Sequence, residues 1–503
     1  MHFQAWVDLI SGYVWGPPLV LLCLGAGLFF SFRTRFMQVR LIKEMLRQLI
    51  QGEASAKGVS SFQGFAMALG GRVGTGNIAG VASAIGTGGP GALFWMWVIA
   101  FLGASSAYIE SALAQVWKEE IGGTYRGGPA YYIEKGLGQK WYAVIFAVIT
   151  IISCGILLPG IQANSIAAAF QNVYPAVTPV VSGIIVTALL GAIIFGGVKR
   201  IGRAAELLVP FMAIGYLLMA LTIVLVNIER LPAVLSLIFS SAVGEHAVFG
   251  GIFGSAVSWG VKRGIFSNEA GQGTGPQAAA AAEVAHPAQQ GLVQAFSVYV
   301  DTLLVCSATG FMILMTGTYN VGDGMGGFLV HNLPGTEAGP VWTQRGIDTL
   351  VPGFGGQFVA YALFFFAFTT LMAYAFYTES NVAYLFKKRA SAVIFITRIF
   401  ILIMTFYGAI RTSSLAWGLG DIGVGLMAWL NVIAILLLAG PGLATLKDYE
   451  KQLRKGHGYH FEPAKLGIHH ADFWRRLHHR KGESGPGEQP ERLEESERHG
   501  TAP

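Results

Sequence analysis

The stretch MALGGRVGTGNIAGVASAIG, residues 67–86, is an apolar segment of membrane-spanning length with glycines at its centre. A second stretch, RGIFSNEAGQGTGPQAAAAA at residues 263–282, has the same character. Glycine inside a helix costs about 1 kcal/mol relative to alanine, and non-helical backbone is tolerated at membrane depth only where it is buried in protein or lines a cavity. We therefore predict two membrane helices that are broken at the Gly-Thr-Gly triplets 74–76 and 273–275.

The composition is that of an integral membrane protein. Of the 503 residues, 53% are hydrophobic and 12% are charged, whereas soluble domains carry roughly twice that charged fraction. The net charge of +6 comes from bases in short loops between apolar runs, which argues against a nucleic-acid partner. The three cysteines fall inside the apolar runs, so we expect free thiols and no metal site built from them.

Apolar runs of about 20 residues, the length that spans a bilayer as a helix, recur along the chain. We expect eleven spans, at approximately residues 14–32, 60–87, 91–116, 141–170, 179–198, 204–228, 247–285, 289–317, 355–386, 391–411 and 417–440. Lys and Arg concentrate in alternate connections, and such basic loops stay in the cytoplasm. The predicted orientation in a bacterial inner membrane therefore has the N-terminus outside and the C-terminus in the cytoplasm.

The spans also suggest an internal repeat. After the first span, five (60–228) are followed by five (247–440), and an odd number makes the halves cross the membrane in opposite senses, as in inverted-repeat transporters. The other predicted segments are an extra N-terminal span (1–32), a cytoplasmic linker (33–59), an extracellular connection (229–246) and a partly disordered cytoplasmic tail (441–503). The linker has the spacing of an amphipathic helix on the inner leaflet, with a solvated linker helix as the alternative.

Two neighbouring breaks would form a dipolar pocket. The free N–H groups at the start of a half-helix suit a carboxylate, and the free C=O groups at the end of another suit a cation or an ammonium group. Close packing of helices through small residues is the alternative explanation, but it does not account for the Thr, Asn and Arg among these glycines. The pattern therefore favours a binding site for a zwitterionic amino acid.

Seven segments resemble the alanine or glycine:cation symporter family, and the resemblance covers about residues 60–440. The segments are VGTGNIAGVASAI (73–85), GGPGALFWMW (88–97), GGTYRGGPAYYI (122–133), QANSIA (162–167), RGIFSNEAGQG (263–273), HPAQQGLVQAF (286–296) and DTLLVCSATGF (301–311). The family is associated with sodium-coupled uptake of small neutral amino acids and with the fold of the bacterial leucine transporter. The resemblance thus implies an all-α integral membrane protein with about eleven transmembrane helices, including discontinuous first helices in each half.

The resemblance assigns site residues by position. It implies that the amides of Thr75 and Gly76 receive the substrate carboxylate, and that a co-transported sodium ion is held by the carbonyls of Gly70 and Val73 and by the hydroxyls of Thr369 and Thr370. On its own, a Thr pair in a membrane helix indicates hydrogen bonds to the preceding turn. The amide of Gln162 could donate to a carboxylate and accept from an ammonium group. The full set expected to bind substrate is Thr75, Gly76, Asn77, Gln162, Gly271, Gln272, Thr274 and Tyr374.

The chain departs from the family pattern near the expected side-chain pocket. Gln272, Thr274 and Gly275 stand where the family usually has Met, Ser and Ala. The sequence Tyr-Ala-Phe-Tyr-Thr-Glu at residues 374–379 replaces a Trp-x-Tyr-Tyr-Gly-Glu pattern. These exchanges leave a larger or more polar neutral amino acid, such as glutamine or serine, as the alternative substrate, and protons as the alternative coupling ion.

Charged residues also lie at the breaks. Arg72 adjoins the first and Glu269 the second, so we expect an interior ion pair with Asp301 as the competing partner of Arg72. A brace and a gate remain open as roles. Lys262 and Arg263 precede the second break closely, so its unwound part could instead begin near residues 250–251.

Other classes of function fit the sequence less well. The spans contain no nucleophile–base pair, paired acidic motif or nucleotide-binding loop, so we expect neither an enzyme nor an organic cofactor. The broken helices favour alternating access over a channel. The expected protein is a monomeric sodium-coupled symporter of a small neutral amino acid in a lipid bilayer.

Overall fold

Helices make up most of the chain in the computed structural model, which describes residues 2–50, 55, 57–246, 248–411, 413–456 and 458–480. The first four helices are α1 (His2–Val14), α2 (Pro17–Arg33), α3 (Met37–Arg40) and α4 (Ile42–Ile50). The first two form one apolar segment, Gln4–Arg33, which begins earlier than the expected span. Pro17 starts α2 because its ring lacks the N–H group that would continue α1.

The first half contains eight helices and a hairpin among the described residues. They are α5 (Ser61–Arg72), α6 (Val81–Gly88), α7 (Gly91–Val116), strands β1 (Glu119–Ile121) and β2 (Thr124–Arg126), α8 (Pro129–Leu137), α9 (Lys140–Ile152), α10 (Leu158–Val173), α11 (Pro179–Ile194) and α12 (Gly197–Val226). The two strands pair antiparallel. A π-helical segment, Ser153–Leu157, makes α9 and α10 one continuous span.

The second half and the C-terminal segment follow. Their elements are α13 (Leu231–Ala242), α14 (Phe253–Asn268), α15 (Gly275–Ala281), α16 (Pro287–Val298), α17 (Ser307–Thr316), antiparallel strands β3 (Asn320–Gly322) and β4 (Phe328–His331), α18 (Pro340–Asp348), α19 (Gly355–Phe386), α20 (Ala390–Ala409), α21 (Ser413–Leu437), α22 (Ala439–Lys455) and α23 (Asp472–Arg480). A π-helical segment, Tyr299–Cys306, joins α16 to α17. Short 3₁₀ turns lie at Ile228–Arg230, Gly250–Ile252, Lys387–Arg389 and Pro463–Leu466.

The spans agree with the predicted fold class. Seven described segments are long and apolar enough to cross a membrane, and one of them, Gly355–Ala409, contains both α19 and α20. The shorter apolar helix α11 and the two broken helices bring the described spans to eleven. The broken helices are not among the seven segments, because each is interrupted and the longest of their halves, α14, has only 16 residues. The all-helical membrane fold is therefore confirmed.

The packing brings the two breaks together. The long helix α7 packs along α14, α15 and α16, and α5 packs against α12, α15 and α19. Ser60 caps α5 by accepting a hydrogen bond from the amide of Gln63, whose side chain accepts from the amide of Ser60 in return. A backbone bridge between Val59 and Ala282 joins the start of α5 to the end of α15. Both broken helices are consequently buried at the centre of the bundle.

Contacts between loops define the two ends of the bundle. We call one end the basic side; it comprises residues 34–50, 57–60, 117–139, 195–199, 282–286, 387–389, 439–456 and 458–480. Lys57 pairs with Glu120 there at 2.5 Å, and Arg35 and Arg40 reach Glu450 of α22 at 2.8 and 2.6 Å. At the opposite end, Arg230 donates to the carbonyl of Met315 at 3.0 Å.

The linker and the tail have definite structure where they are described. Helix α4 buries Glu44, Met45 and Gln48, and it exposes Ile42, Leu46 and Ile50. Its apolar face thus points away from the protein, which suits a helix at a membrane surface. Residues of the expected tail form α22 and α23, and residues 481–503 lie outside the described part of the chain.

Candidate substrate and cation site

The first break begins directly after α5. Val73 is extended (φ −75°, ψ 90°), and helical structure resumes as a π-helical turn at Gly76–Gly80. The side chain of Asn77 accepts a hydrogen bond from the amide of Gly74 at 2.8 Å, so Asn77 stabilises the break. A Cβ atom on Gly74 would lie 2.5 Å from Oγ1 of Thr370. Glycine at this position therefore permits the close approach of the two chains.

The second break needs left-handed backbone. Glu269, Gly271 and Gly273 have φ values of 55°, 79° and 87°, a region that glycine adopts without steric cost. Helix α14 continues through Lys262 and Arg263 and ends at Asn268. The unwound stretch is thus 269–274. The suggested start near 250–251 is wrong, because those residues form a 3₁₀ turn before α14.

A buried carboxylate holds the second break in place. Oε1 of Glu110, on α7, accepts from the amide of Gly271 at 3.1 Å. Asn431, on α21, donates to Oε2 of Glu110 at 2.7 Å and to the carbonyl of Gly271 at 2.9 Å. Two helices, α7 and α21, therefore hold both backbone groups of Gly271 in the unwound stretch. The sequence drew attention to neither Asn431 nor this role of Glu110.

The expected carboxylate-binding groups face Gln162. Oε1 of Gln162 accepts from the amide of Thr75 at 3.1 Å and from its hydroxyl at 2.8 Å. A carboxamide oxygen thus occupies the place predicted for a substrate carboxylate oxygen. Gly76 packs against Phe266, where an added Cβ would lie 3.0 Å from the ring.

The predicted sodium ligands are partly brought together. The hydroxyl of Thr370 donates to the carbonyl of Gly70 at 2.9 Å and lies 3.4 Å from that of Val73. The hydroxyl of Thr369 instead donates to the carbonyl of Phe366 in its own helix at 2.9 Å. Both hydroxyls make the hydrogen bond to the preceding turn that a threonine in a membrane helix usually makes, that of Thr370 to the carbonyl of Phe366 at 3.0 Å. Thr370 in addition bridges α19 to the broken helix.

The substrate residues expected in the second half lie in or beside the unwound stretch. Nε2 of Gln272 donates to the hydroxyl of Thr274 at 3.3 Å, while Oε1 of Gln272 is buried and has no hydrogen-bond partner among the described residues. Tyr374 is buried in α19 and contacts Tyr377, with ring centroids 6.3 Å apart.

The expected ion pair between Arg72 and Glu269 is not formed. Arg72 donates to the carbonyl and side chain of Gln294 at 3.3 and 3.1 Å. Its guanidinium lies against Gly275, where a Cβ would be 2.6 Å from Nη2. Glu269 turns towards Tyr377, whose hydroxyl donates to it at 3.4 Å. Arg72 still connects the two broken helices, but by packing at the start of α15.

Asp301 makes neutral hydrogen bonds and does not pair with Arg72. Asn77 donates to its Oδ1 at 2.7 Å, and the hydroxyls of Ser267 and Thr302 donate to Oδ2 at 2.9 and 2.7 Å. Asp301 is fully buried, and no described basic side chain lies within ion-pair distance of it. A carboxylate beside two hydroxyl oxygens offers oxygen ligands of the kind that suit a small cation.

Two buried ion clusters lie at opposite ends of the bundle. Towards the end opposite the basic side, Asp421 binds Lys262 at 2.7 Å and Arg263 at 2.9 Å. Near the basic side, Glu379 accepts from Arg398 at 2.7 Å and from Arg126 at 3.4 Å. Sequence reasoning did not single out Asp421, although an acidic residue inside an apolar run is itself a signal of function.

A cavity of about 300 Å³ separates the outer parts of the two broken helices. Its lining includes Ala79, Ser83, Asn164, Asn172, Trp259, Arg263, Gln344 and Trp417. Ala79 and Ser83 follow the first break, and Trp259 and Arg263 precede the second. The cavity therefore lies towards the end opposite the basic side, whereas the bridge of Val59 to Ala282 joins α5 to α15 near the basic side.

The sequence profile of the sodium:alanine symporter family matches residues 1–463. The chain belongs to the sodium:alanine symporter family. Like other members of this family, it is a membrane transporter and not an enzyme. Its three cysteines are buried free thiols, as the sequence predicts.

Named relatives cover nearly the whole symporter chain. YrbD of Bacillus subtilis (strain 168), provisionally named a sodium/proton-dependent alanine carrier, is 59% identical over 93% of this chain and 97% of YrbD. The sodium/proton-dependent alanine carrier protein of Bacillus sp. (strain PS3) is 51% identical over 88% of this chain and its own full length. GlnT of Bacillus subtilis (strain 168), named a probable sodium/glutamine symporter, is 42% identical over 90% of this chain and 91% of GlnT.

A solved structure gives the fold of the symporter independently. The crystal structure of MhsT in complex with L-phenylalanine superposes with a TM-score of 0.56 at 14% identity, covering 84% of this chain and 98% of MhsT. At that identity the likeness concerns the fold alone. It supports the predicted arrangement of discontinuous helices.

Proposed function

We propose that this transporter couples the uptake of a small neutral amino acid, of the alanine type, to sodium. The observation that carries the proposal is the adjacency of anion- and cation-binding groups at the first break. A Cβ on Gly74 would lie 2.5 Å from the hydroxyl of Thr370 and 3.1 Å from Oε1 of Gln162. The groups for a carboxylate and for sodium are therefore neighbours across one glycine.

The substrate carboxylate would replace Oε1 of Gln162 at the amide and hydroxyl of Thr75. Gln162 would then turn its carboxamide to the ammonium group. A sodium ion would take the carbonyls of Gly70 and Val73 from the hydroxyl of Thr370, and Thr369 would join after a rotation of its side chain. Hard oxygen ligands are what a small cation needs when it loses its water.

Asp301 is a candidate for a second cation site. Its carboxylate gathers Asn77 from the first break and Ser267 from the end of α14. A cation there would join both broken helices, because its ligands would come from both. Binding of that cation would then favour the arrangement in which the helices hold the substrate.

Transport would proceed by alternating access. We place the basic side in the cytoplasm because basic loops remain there, and the C-terminal segment lies on that side. The 300 Å³ cavity would then lie on the outer side of the breaks, and the joined ends of α5 and α15 would lie on the cytoplasmic side.

A proton-coupled carrier of a more polar amino acid, such as glutamine or serine, is the second candidate. Oε1 of Gln272 is buried without a partner in the described part of the chain, so it could accept a hydrogen bond from a polar substrate side chain. The similarity to GlnT and to carriers named for both sodium and protons supports keeping this candidate.

Uptake by the purified protein in proteoliposomes tests both. We expect labelled alanine to accumulate under an inward sodium gradient at constant pH, and to stop when potassium replaces sodium. Uptake that follows a pH gradient without sodium would instead establish proton coupling. Competition by glycine, serine and glutamine would rank the substrates, and stronger competition by glutamine than by alanine would contradict an alanine-type site.

A further inference from the structure

Residues 458–480 form a folded segment on the basic side, which we call the C-terminal latch. Phe461 and Trp474 are only 0% and 1% exposed, although the surrounding sequence is polar. The indole of Trp474 donates to the carbonyl of Gln115 at 3.0 Å, and that of Trp117 donates to the carbonyl of His469 at 2.9 Å. The latch is therefore attached to the end of α7 by two hydrogen bonds, one donated by the latch and one accepted by it.

A buried lysine lies beneath the latch. Nζ of Lys118 donates to the carbonyl of Ala282 at 3.0 Å. It also lies 4.6 Å from the ring centroids of both Tyr125 and Phe473, and 5.5 Å from that of Trp474. Rings at such distances attract an ammonium group, which partly offsets the cost of burying it. Two of the three rings belong to the latch.

The lysine contacts the point where both broken helices are joined. Ala282 follows the last turn of α15, and the amide of Val59, just before α5, donates to the neighbouring carbonyl of Ala281 at 3.0 Å. Gln115 also donates to the carbonyl of Ala282 at 3.0 Å. Separation of α5 from α15 on this side would break the bridge and expose Lys118.

We propose that the C-terminal latch holds the transporter closed towards the cytoplasm, and that its release from Lys118 accompanies opening on that side. The inference rests on the proposed function in one respect, namely that the basic side is where substrate leaves. The latch covers Lys118, Lys118 holds the end of α15, and α15 is bound to the start of α5. Loss of the latch therefore weakens the closure of the inner end.

Most of the other charged groups near Lys118 form ion pairs of their own. Glu120 pairs with Lys57 at 2.5 Å, and Glu119 pairs with Lys135 at 2.7 Å. Asp472 of the latch pairs with Lys135 at 3.6 Å. Glu283 remains as the charged side chain that acts on the lysine, and it favours the charged form; Tyr125 faces the lysine with its ring.

Truncation of the full-length transporter tests the latch. One variant ends at Gly456, and the control ends at Arg480, so that only the control keeps the latch. Both carry Ala282→Cys, whose labelling by a membrane-impermeant maleimide is measured from the cytoplasmic side of inside-out vesicles. We expect labelling to be several-fold faster in the shorter variant.

Equal or slower labelling of the shorter variant, with an unchanged thermal midpoint, would overturn the proposal. If the shorter variant does not fold, full-length Phe473→Ala takes its place, because it removes one ring from Lys118 and should accelerate labelling to a smaller extent. Unchanged labelling in Phe473→Ala would also overturn the proposal. The labelling readout requires no substrate, so a failure of sodium-driven alanine uptake would count against the proposed function and not against the latch.

Discussion

At the scale of single residues, the two adjacent threonines of α19 differ in what they contact. Both hydroxyls donate to the carbonyl of Phe366 in their own helix, and that of Thr370 also reaches the first break at the carbonyl of Gly70. Identical chemistry at neighbouring positions thus has two environments, because successive residues of a helix point about 100° apart. Only one of the two hydroxyls is already in place for a cation.

The variant Thr370→Ala should weaken sodium binding more than Thr369→Ala does. The first removes an oxygen that lies 2.9 Å from the carbonyl of Gly70, and the second removes one that must rotate first. We expect at least a tenfold rise in the sodium concentration for half-maximal uptake in Thr370→Ala, equivalent to about 1.4 kcal/mol. Equal effects of the two variants would show that Thr369 binds sodium more strongly than its hydrogen bonds indicate.

Lys118 should make the closure depend on cytoplasmic pH. Burial lowers the pKa of Lys118 to about 7, whereas a lysine in water titrates near 10.4. The closed arrangement therefore binds fewer protons between these values, so a rise in pH above about 7 stabilises it, by up to roughly 1.4 kcal/mol per unit. Below about 7 the lysine is charged in both arrangements, and the dependence ends.

Labelling of Ala282→Cys should accordingly slow down between pH 7 and 9, relative to the variant that ends at Gly456. The quantity to compare is the ratio of the two labelling rates, because it corrects for the pH dependence of the thiol itself. In Lys118→Met the same ratio should be independent of pH. A ratio that rises with pH in the otherwise unchanged chain would contradict the direction of this linkage.

At the scale of secondary structure elements, the second break depends on partners from outside its own helix. The peptide at Gly271 loses its helical hydrogen bonds, and Glu110 and Asn431 supply replacements from α7 and α21. An unpaired peptide group at membrane depth costs several kcal/mol. The broken helix is therefore stable only in the assembled bundle.

Replacement of Glu110 by alanine should destabilise the protein markedly. It leaves the amide of Gly271 and the side chain of Asn431 without their acceptor, and each buried unsatisfied group costs about 1–3 kcal/mol. Glu110→Gln keeps one acceptor oxygen and should be the milder change. The thermal midpoint in detergent measures the difference, and equal midpoints for the two variants would show that the carboxylate does not support the break.

At the scale of the whole molecule, the structure is asymmetric across the membrane. The cavity lined by Ser83 and Trp259 lies towards one end, while the other end contains the bridge of Val59 to Ala282 and the latch. The ion clusters at Asp421 and Glu379 lie towards the opposite ends. The two ends can thus open in turn if the two broken helices, which contain α5 and α15, move against the surrounding helices.

The proposed orientation can be tested through the same asymmetry. In whole cells, a cysteine at Ser83, in the cavity lining, should react with an impermeant maleimide added outside, and a cysteine at the partly exposed Lys57 should not. In inside-out vesicles the order should reverse. Reaction of Lys57→Cys in whole cells would place the basic side outside and contradict the proposed direction of transport.

The sequence alone determined the class of fold, the spans, and the positions of the two breaks. Hydropathy over about 20 residues and glycine clusters are local properties, so they can be read along the chain. It could not determine which charges meet: Arg72 and Glu269 adjoin the breaks in sequence but turn to Gln294 and Tyr377. Partners distant in sequence, such as Asn431 for Glu110 or the latch for Lys118, depend on packing between helices. Only the tertiary structure brought them together, because burial forces each polar group to find a partner wherever the fold provides one.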